Sequence, residues 1–577
     1  MRLRASSLAG RTEESSARIT GSATLAARIA AWARTRADST QPRSPSAIPR
    51  AVWLLMCGLA SVYFVLFASR FSGNVGAIAW VSDYSSGFTL AETIVRTGTG
   101  GHTVISTTGA YAPLWFGLLT AKLPLHRQLW EIAPTVVFIG TAATIGWSVA
   151  QFAGRRAAAL SMLLVLVASP WALSFFMAAV AHNVVYPCTA LLGAYLIWLT
   201  RSSGRSQLAA IGVPTLVALI LGACIASDAL LLVTGVFPLV LTAVIAAVRP
   251  SRLSRRVAAT AIATAAAAAP VAYLTSATMR SAGYVTLTPP AKLAPLSALS
   301  EHARLMFEGF RELSNGYLGS HWPGTLHSAI GYACDAVIVA GLLALLLAGV
   351  RGTVRFLSVG FRKQDTSEQL ALGLHTVYWL SSALAVCGAF EFSMTAGGHR
   401  HESYYATAIF SIAAILPLLI PHGRIARWLI PLGACVFFIG SIVGLKRNYL
   451  QVTEPALAHY AGQVATLAEA NHVRTGYAGY WDASSLTWNS HERVLVRPLI
   501  ECSNPAGAGI CPFFLMRTPS WYVPMPRHTF LLVDPDQLYV TSLPPGLGPP
   551  IASYSIGPIA MYVYPYDIAS RLGPAPN

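Results

Sequence analysis

Long apolar runs separated by short polar connectors fill the chain from residue 51 to residue 447. A helix that crosses a bilayer needs about 20 apolar residues. Runs of that kind occur at 51–69, 130–150, 157–178, 182–200, 208–226, 229–248, 257–275, 329–350, 370–389, 404–421 and 428–445. The pattern predicts about eleven transmembrane helices. Two intervals, 70–129 and 277–328, are too long and too polar to be simple connectors. Within the first, residues 85–96 place Phe88, Leu90, Ile94 and Val95 among polar neighbours, the pattern of an amphipathic helix lying on a membrane.

Beyond residue 447 the pattern changes to that of a small water-soluble domain. A helix is expected at 454–471, then short strands at 474–480, 493–498, 529–533, 538–541, 551–556 and 559–564, punctuated by Pro and Gly. At the other end, residues 1–50 are rich in Arg, Ser, Thr and Ala, close on QPRSPSAIPR and lack the early apolar core of a cleaved signal peptide. They read as a disordered basic cytoplasmic tail, with an organelle transit peptide as the alternative. The expected fold is therefore mainly α and polytopic: a tail at 1–50, a transmembrane domain at 51–447 and an extracytoplasmic α/β domain at 448–577.

Composition agrees, because only 11% of the 577 residues are charged against roughly 25% in an ordinary soluble domain. The formal charge of +17 would suggest nucleic acid in a soluble protein. Here the cations fall in alternate connectors, at 154–156, 201–205, 249–256, 351–363 and 422–427, on the side of the N-terminal tail. Lys and Arg accumulate in cytoplasmic loops, so the N-terminus is expected inside and the C-terminal domain outside, with membrane lipids as partners and no nucleic acid. Six cysteines lie in apolar runs. Cys502 and Cys511, in the polar C-terminal part, have no zinc-like spacing and are expected to form a short-loop disulfide.

Candidate chemistry gathers on the outer side. Asp83 follows the first span, and a carboxylate at a low-dielectric boundary can have its pKa raised into the range of a general base; a solvated or helix-capping Asp is the plainer alternative. Glu92 stands nine residues on, and His102 lies in a Gly/Thr-rich stretch that lacks the ending of a phosphate-binding loop. Asp228 sits where two spans meet, as a functional intramembrane acid or as the cap of the next helix. The segment 397–410 concentrates His399, Arg400, Tyr404 and Tyr405 at a membrane edge. Arg400 suits a lipid phosphate, because its fork of donors matches phosphate oxygens; a surface ion network with an interfacial aromatic belt is the alternative.

From Asp83 to about residue 201 the order of features resembles the GT-C class of membrane glycosyltransferases, such as the protein mannosyltransferases and the lipid A aminoarabinose transferases. The matching pieces are Asp83 with Tyr84, AETIVRTG at 91–98, YAPLWFGLL from Tyr111 to 119 and GRRAAALSMLLVLVASPWALSF at 154–175, with GYAGYWDASSLTWNSHERVLV at 476–496 resembling the ectodomain of such enzymes. The resemblance implies transfer of a sugar from a polyprenyl-phosphate donor to an acceptor at the extracytoplasmic face, with inversion and Asp83 as base. Two positions depart from the class. Tyr84 stands where many members have a second acid, and His182 with Asn183 where many have an acid before the fourth span. A divalent ion, which prefers oxygen ligands, is therefore not favoured, and no metal is assigned. A transporter or lipid flippase is the alternative function; such proteins tend to place ionisable groups near the bilayer midplane in repeated halves. A third possibility is a scaffold that has lost catalysis.

Overall fold

Each apolar run becomes helix in the computed structural model, which describes residues 48–71, 82–98, 103–105, 111–177, 182–201, 206–286, 293–321, 324–360, 366–393, 402–446, 456–502, 508–537 and 539–575. The helices are α1 (Arg50–Phe71), α2 (Ser82–Thr97), α3 (Tyr111–Thr120), α4 (His126–Leu166), α5 (Pro170–Phe176), α6 (Val185–Thr200), α7 (Gln207–Ser227), α8 (Phe237–Ala247), α9 (Arg252–Ser281) and α10 (Leu299–Leu313). They continue as α11 (Tyr317–His321), α12 (Leu326–Gly360), α13 (Ser367–Ser393), α14 (Glu402–Tyr405), α15 (Thr407–Ile415), α16 (Ala426–Lys446), α17 (Ala456–Ala470) and α18 (Tyr480–Asn489).

Seven of the described helices, α1, α4, α7, α9, α12, α13 and α16, are long and apolar enough to cross a membrane, and three shorter apolar stretches add Val185–Thr200, Leu232–Ala247 and Thr407–Pro421. The helix α4 holds two of the expected runs. Gly154 takes φ 79°, ψ 176° at its middle, a conformation that glycine reaches without a steric penalty. A Cβ on Gly146 would stand 2.3 Å from Met162 Cγ, so the halves before and after Gly154 pack side by side in opposite directions. Together these segments account for the eleven runs. The 157–178 run is itself interrupted: Ser169 accepts from Ala172 N at 3.1 Å and Pro170 opens a new helix, because proline cannot continue the preceding ladder.

The outer flanks of the bundle are apolar: Leu54 on α1, Ile211 on α7 and Leu347 on α12 are all exposed. Water would leave a large apolar surface uncovered, which a bilayer covers; the chain is an integral membrane protein. At its centre lies most of α13, with Tyr378 and Trp379 fully buried.

The two ends of the bundle differ. At one, the basic connectors brace neighbouring helices: Arg249 donates to the Phe356 carbonyl and lies over its ring, Arg156 donates to Ile48 O at 3.3 Å, and Arg201 donates to Gln151. At the other, β1 (Thr103–Ile105) of the first long loop pairs in parallel with β2 (Tyr284–Thr286) of the second. Val104 also exchanges backbone bonds with Arg517 of the C-terminal part, at 2.8 and 2.9 Å. Both polar intervals and the C-terminal domain thus meet at one end.

That domain is built on a sheet of β3 (Thr475–Gly479), β4 (Leu495–Glu501), β5 (Ile510–Pro512), β6 (Thr529–Val533), β7 (Ala552–Ile556) and β8 (Ile559–Tyr564), in the order β5-β4-β3-β6-β8-β7. The central β4-β3-β6 are parallel and the edges antiparallel. Cys502 and Cys511 form a disulfide between β4 and β5. The sequence pattern missed α18, whose Ser/Thr-rich YWDASSLTWN carries little apolar periodicity; a parallel β3–β4 pair nonetheless needs a crossover, which α18 supplies. Of the expected strand at 538–541, residue 538 lies outside the described residues and 539–541 form no strand, since Tyr539 has φ 89° and leaves the extended region.

Candidate active site

The helix α2 organises the end where the domains meet, and each of its faces has a partner. Gly87 and Ala91 face α3: a Cβ on Gly87 would lie 3.2 Å from Pro113 Cβ, and one on Gly117 would lie 2.6 Å from Ala91 Cβ. Only residues without a larger side chain allow that approach, and the matching order shows that α2 and α3 run in the same direction. Phe88 packs edge-on against Trp488 of α18 with ring centroids 4.8 Å apart, and stacks on His126 at 5.0 Å. On the third face Ser82 Oγ accepts from Ser484 N at 3.0 Å, Thr89 Oγ1 donates to Ser484 Oγ at 3.2 Å, and Trp521 Nε1 donates to Thr93 Oγ1 at 2.9 Å. The amphipathic pattern is therefore correct for a helix, but the polar face is not open to water. Ser85, Ser86 and Thr89 are buried, because the C-terminal domain covers them.

Asp83 and Tyr84 belong to the first turn of α2, and Tyr111 opens α3; their side chains lie outside the described residues. Position 83 lies one turn before Gly87 along α2. The next residue of α3, Ala112, donates its N–H to Ser227 Oγ at 3.0 Å. Ser227 precedes Asp228, and Asp228 leads to His182.

His182 and Asp228 form a buried pair, Nδ1 to Oδ2 2.6 Å, with 4% and 2% of their surfaces exposed. The other carboxylate oxygen accepts from Leu230 N at 2.9 Å. Both readings of Asp228 are thus realised together, as cap of the following helix and as partner of an ionisable side chain. His182 holds φ 70°, uncommon for a residue with a Cβ, and its ring lies 4.6 Å from that of Tyr404. A carboxylate on Nδ1 fixes the imidazole so that Nε2 is presented elsewhere. Among the described residues, Nε2 has no hydrogen-bond partner. Asn183 Nδ2 donates to Phe176 O at 3.3 Å and so supports the turn. Tyr405 is buried between Phe310 and Phe390, at 5.0 and 5.1 Å, as a packing residue. His102, His399 and Arg400 lie outside the described residues.

Glu92 is not part of this group. Nine residues of helix separate it from Asp83, about 13 Å at 1.5 Å per residue. It meets His126 Nε2 at 3.0 Å and Arg96 Nη2 at 3.4 Å, and Arg96 also reaches Glu492 at 3.4 Å. Burial first, then the hydrogen bond and repulsion of Glu492, push its pKa up to about 7, against the opposing pull of Arg96 and His126. Beside it the Arg127 guanidinium lies 4.1 Å over the Trp488 ring and donates to the Trp488 carbonyl at 2.9 Å. Sequence reasoning passed over Arg96, His126 and Glu492, and named Tyr404 only as part of the 397–410 cluster. Only the Glu92–Arg96 spacing, one helical turn, carried any local signal.

No family model matches the chain and no curated protein matches it in sequence. Solved structures do. ArnT from Cupriavidus metallidurans in the apo state matches over 89% of this chain and 100% of its own, at 13% identity and a TM-score of 0.42. The same protein bound to undecaprenyl phosphate matches over 90% and 98%, at 14% and 0.40. The oligosaccharyltransferase of Archaeoglobus fulgidus, in a complex with zinc and sulfate, matches over 79% and 63%, at 10% and 0.41. These proteins are of the class that the sequence resembles. Identity and superposition are both low, so the site is argued from this chain's own residues.

Proposed function

We propose that the chain is a glycosyltransferase that moves a sugar from a polyprenyl-phosphate donor to an acceptor hydroxyl at the extracytoplasmic membrane face, with inversion and with Asp83 as general base. One observation carries the reading. The first turn of α2, the start of α3, the His182–Asp228 pair and Tyr404 converge at the end of the bundle where the C-terminal domain docks. A membrane-embedded donor and a water-side acceptor can both reach such a place.

In this reading Asp83 takes the acceptor proton as the acceptor oxygen attacks the anomeric carbon from the face opposite the phosphate. The bond from that carbon to the phosphate oxygen breaks, and the lipid phosphate leaves with the electron pair. His182, held by Asp228, presents Nε2 to the departing phosphate; Arg400 supplies a cation from the segment just before Tyr404. Asp228 has both oxygens taken by His182 and Leu230, which leaves Asp83 as the acid assigned to chemistry. The polar groups gather at helix ends rather than in repeated halves at mid-bilayer, which favours transfer over transport.

The test is transfer from a radiolabelled polyprenyl-phosphate sugar by the full chain in lipid nanodiscs. Asp83→Asn is expected to lower the rate by roughly 10²–10⁴, the usual contribution of a general base. Undiminished transfer by Asp83→Asn removes that residue from its role, and lipid movement without sugar release by the wild type favours a flippase.

A further inference from the structure

Glu92, His126 and Glu492 come from three separate elements: α2, the start of α4 and the turn after α18. One donor atom from each lies within 4.8 Å of the other two. The three are half-buried, with 11%, 23% and 20% of their side chains exposed, so the group is enclosed by the domain junction yet open to solvent on one side.

The hydrogen bonding of His126 indicates what belongs between them. Its Nδ1 lies 3.1 Å from the Leu123 carbonyl. A carbonyl only accepts, so Nδ1 carries the hydrogen, and in the neutral ring Nε2 presents a lone pair. Nε2 faces Glu92 Oε1 at 3.0 Å, and Glu92 is also hydrogen-bonded to Glu492. A metal cation can take one donor atom from each of the three side chains at once. A backbone carbonyl on Nδ1 is also the outer partner usual for a metal-binding histidine, and Phe88, stacked on the ring at an interplanar angle of 7°, fixes its plane.

We propose that Glu92, His126 and Glu492 form a zinc-class divalent-cation site that fastens the C-terminal domain to α2 and α4. One imidazole with two carboxylates suits Zn²⁺ better than Mg²⁺, which prefers oxygen alone. Tetrahedral bonds of about 2.0–2.1 Å place donors about 3.3 Å apart, so the group needs to contract by an ångström or so on binding. Arg96 occupies the solvent side of both carboxylates and is 55% exposed; it competes with the ion and has room to swing away. The opposite end of α2 bears Asp83, so an ion here would fix the pose of the domain over the transfer site. The site itself does not depend on the transfer reading, and its test measures metal.

The full chain, purified without a histidine tag, stripped with EDTA and placed in nanodiscs, is titrated with Zn²⁺, and with Co²⁺ as a visible-absorption probe. One zinc per chain is expected, with Zn²⁺ raising the unfolding temperature. His126→Ala and Glu492→Gln should each weaken uptake by at least about tenfold, whereas Arg96→Ala should tighten it by removing the competing cation. Glu492 lies in a surface turn, so its variant is expected to keep the gel-filtration profile of the wild type. The proposal is overturned if no saturable uptake occurs at micromolar zinc, or if uptake is the same in His126→Ala and Glu492→Gln as in the wild type.

Discussion

Asp228 and Asp482 are both almost wholly buried acids, and the chain treats them in opposite ways. At the end of the bundle where the C-terminal domain docks, Asp228 has both oxygens satisfied, one by the His182 imidazole and one by the Leu230 N–H. In the C-terminal domain, Asp482 sits in the first turn of α18 just beyond β3, 1% exposed, with Oδ1 unpartnered among the described residues. Its charged neighbour is another buried acid, Asp534, just past the end of β6. Burial, then Asp534, raise the Asp482 pKa well above the usual carboxylate range, and burial raises that of Asp534. The first arrangement fixes the orientation of a histidine ring; the second holds acids that fold best when neutral. Burial of a carboxylate alone therefore says little about function, and the identity of its partner says much more.

The largest effect should come from breaking the satisfied pair. Removing one member of a buried hydrogen-bonded pair leaves the other uncompensated, at a cost of about 3–5 kcal/mol where the pair is charged. Asp228→Ala deletes the partner of His182 and the cap of Leu230 at once, and is expected to lose a stability in that range in thermal or denaturant unfolding of the reconstituted chain. Asp228→Asn, which can still accept from Leu230 N, should recover part of it. A loss for Asp228→Ala no larger than that of a surface substitution would erase the distinction from Asp482.

The unsatisfied pair predicts a smaller effect with the opposite sign. Both folded pKa values are raised, so the folded state holds more protons than the unfolded chain above about pH 4. The stability these acids contribute is present below their unfolded values and is lost as pH rises through their folded ones. Asp482→Asn removes that loss. It should stabilise the chain at pH 8 by roughly 1–3 kcal/mol, the penalty of an unsatisfied buried polar group, and change little at pH 4. Unfolding temperatures of wild type and variant at the two pH values check this. A destabilised variant at pH 8 would mean that Asp482 has a charged partner after all.

The contrast between the two acids also marks how far sequence reasoning reached. Apolar run length placed the membrane helices, and β-like alternation placed 529–533 and 559–564 as strands with the bounds seen in the structure. Asp228 could be singled out because an acid between two apolar runs is costly wherever it lies. Its pairing with His182, which stands out in the sequence only as a departure from the class, could not be read, because His182 is 46 residues away and reaches it only through a turn with positive φ, which no local pattern encodes. The same holds for Glu92, which shares a helix with Asp83 and so read as part of one site. Its partners are His126, 34 residues on, and Glu492 in the other domain. Helical rise separates the two acids by about 13 Å. Local periodicity fixes which face of an element a residue occupies; docking between elements decides what that face meets.

The smallest effect tests whether the His182 ring, and not only its charge, is held in place. Tyr404 packs against it at 4.6 Å with the planes tilted by 58°, a contact of a kind worth about 0.5–1.5 kcal/mol beyond simple burial. Tyr404→Leu keeps an apolar side chain of moderate size at the start of the α14–α15 segment while removing the ring. Stability should fall by no more than that amount, so any larger loss of sugar transfer would report on the aim of Nε2 and not on folding. Tyr404→Phe preserves the ring and should retain wild-type transfer if the contact is aromatic in nature. If Tyr404→Phe instead fails as badly as Tyr404→Leu, the hydroxyl matters more than the ring, and Tyr404 belongs with the groups that touch substrate. Asp482→Asn, by contrast, should shift unfolding but leave transfer alone.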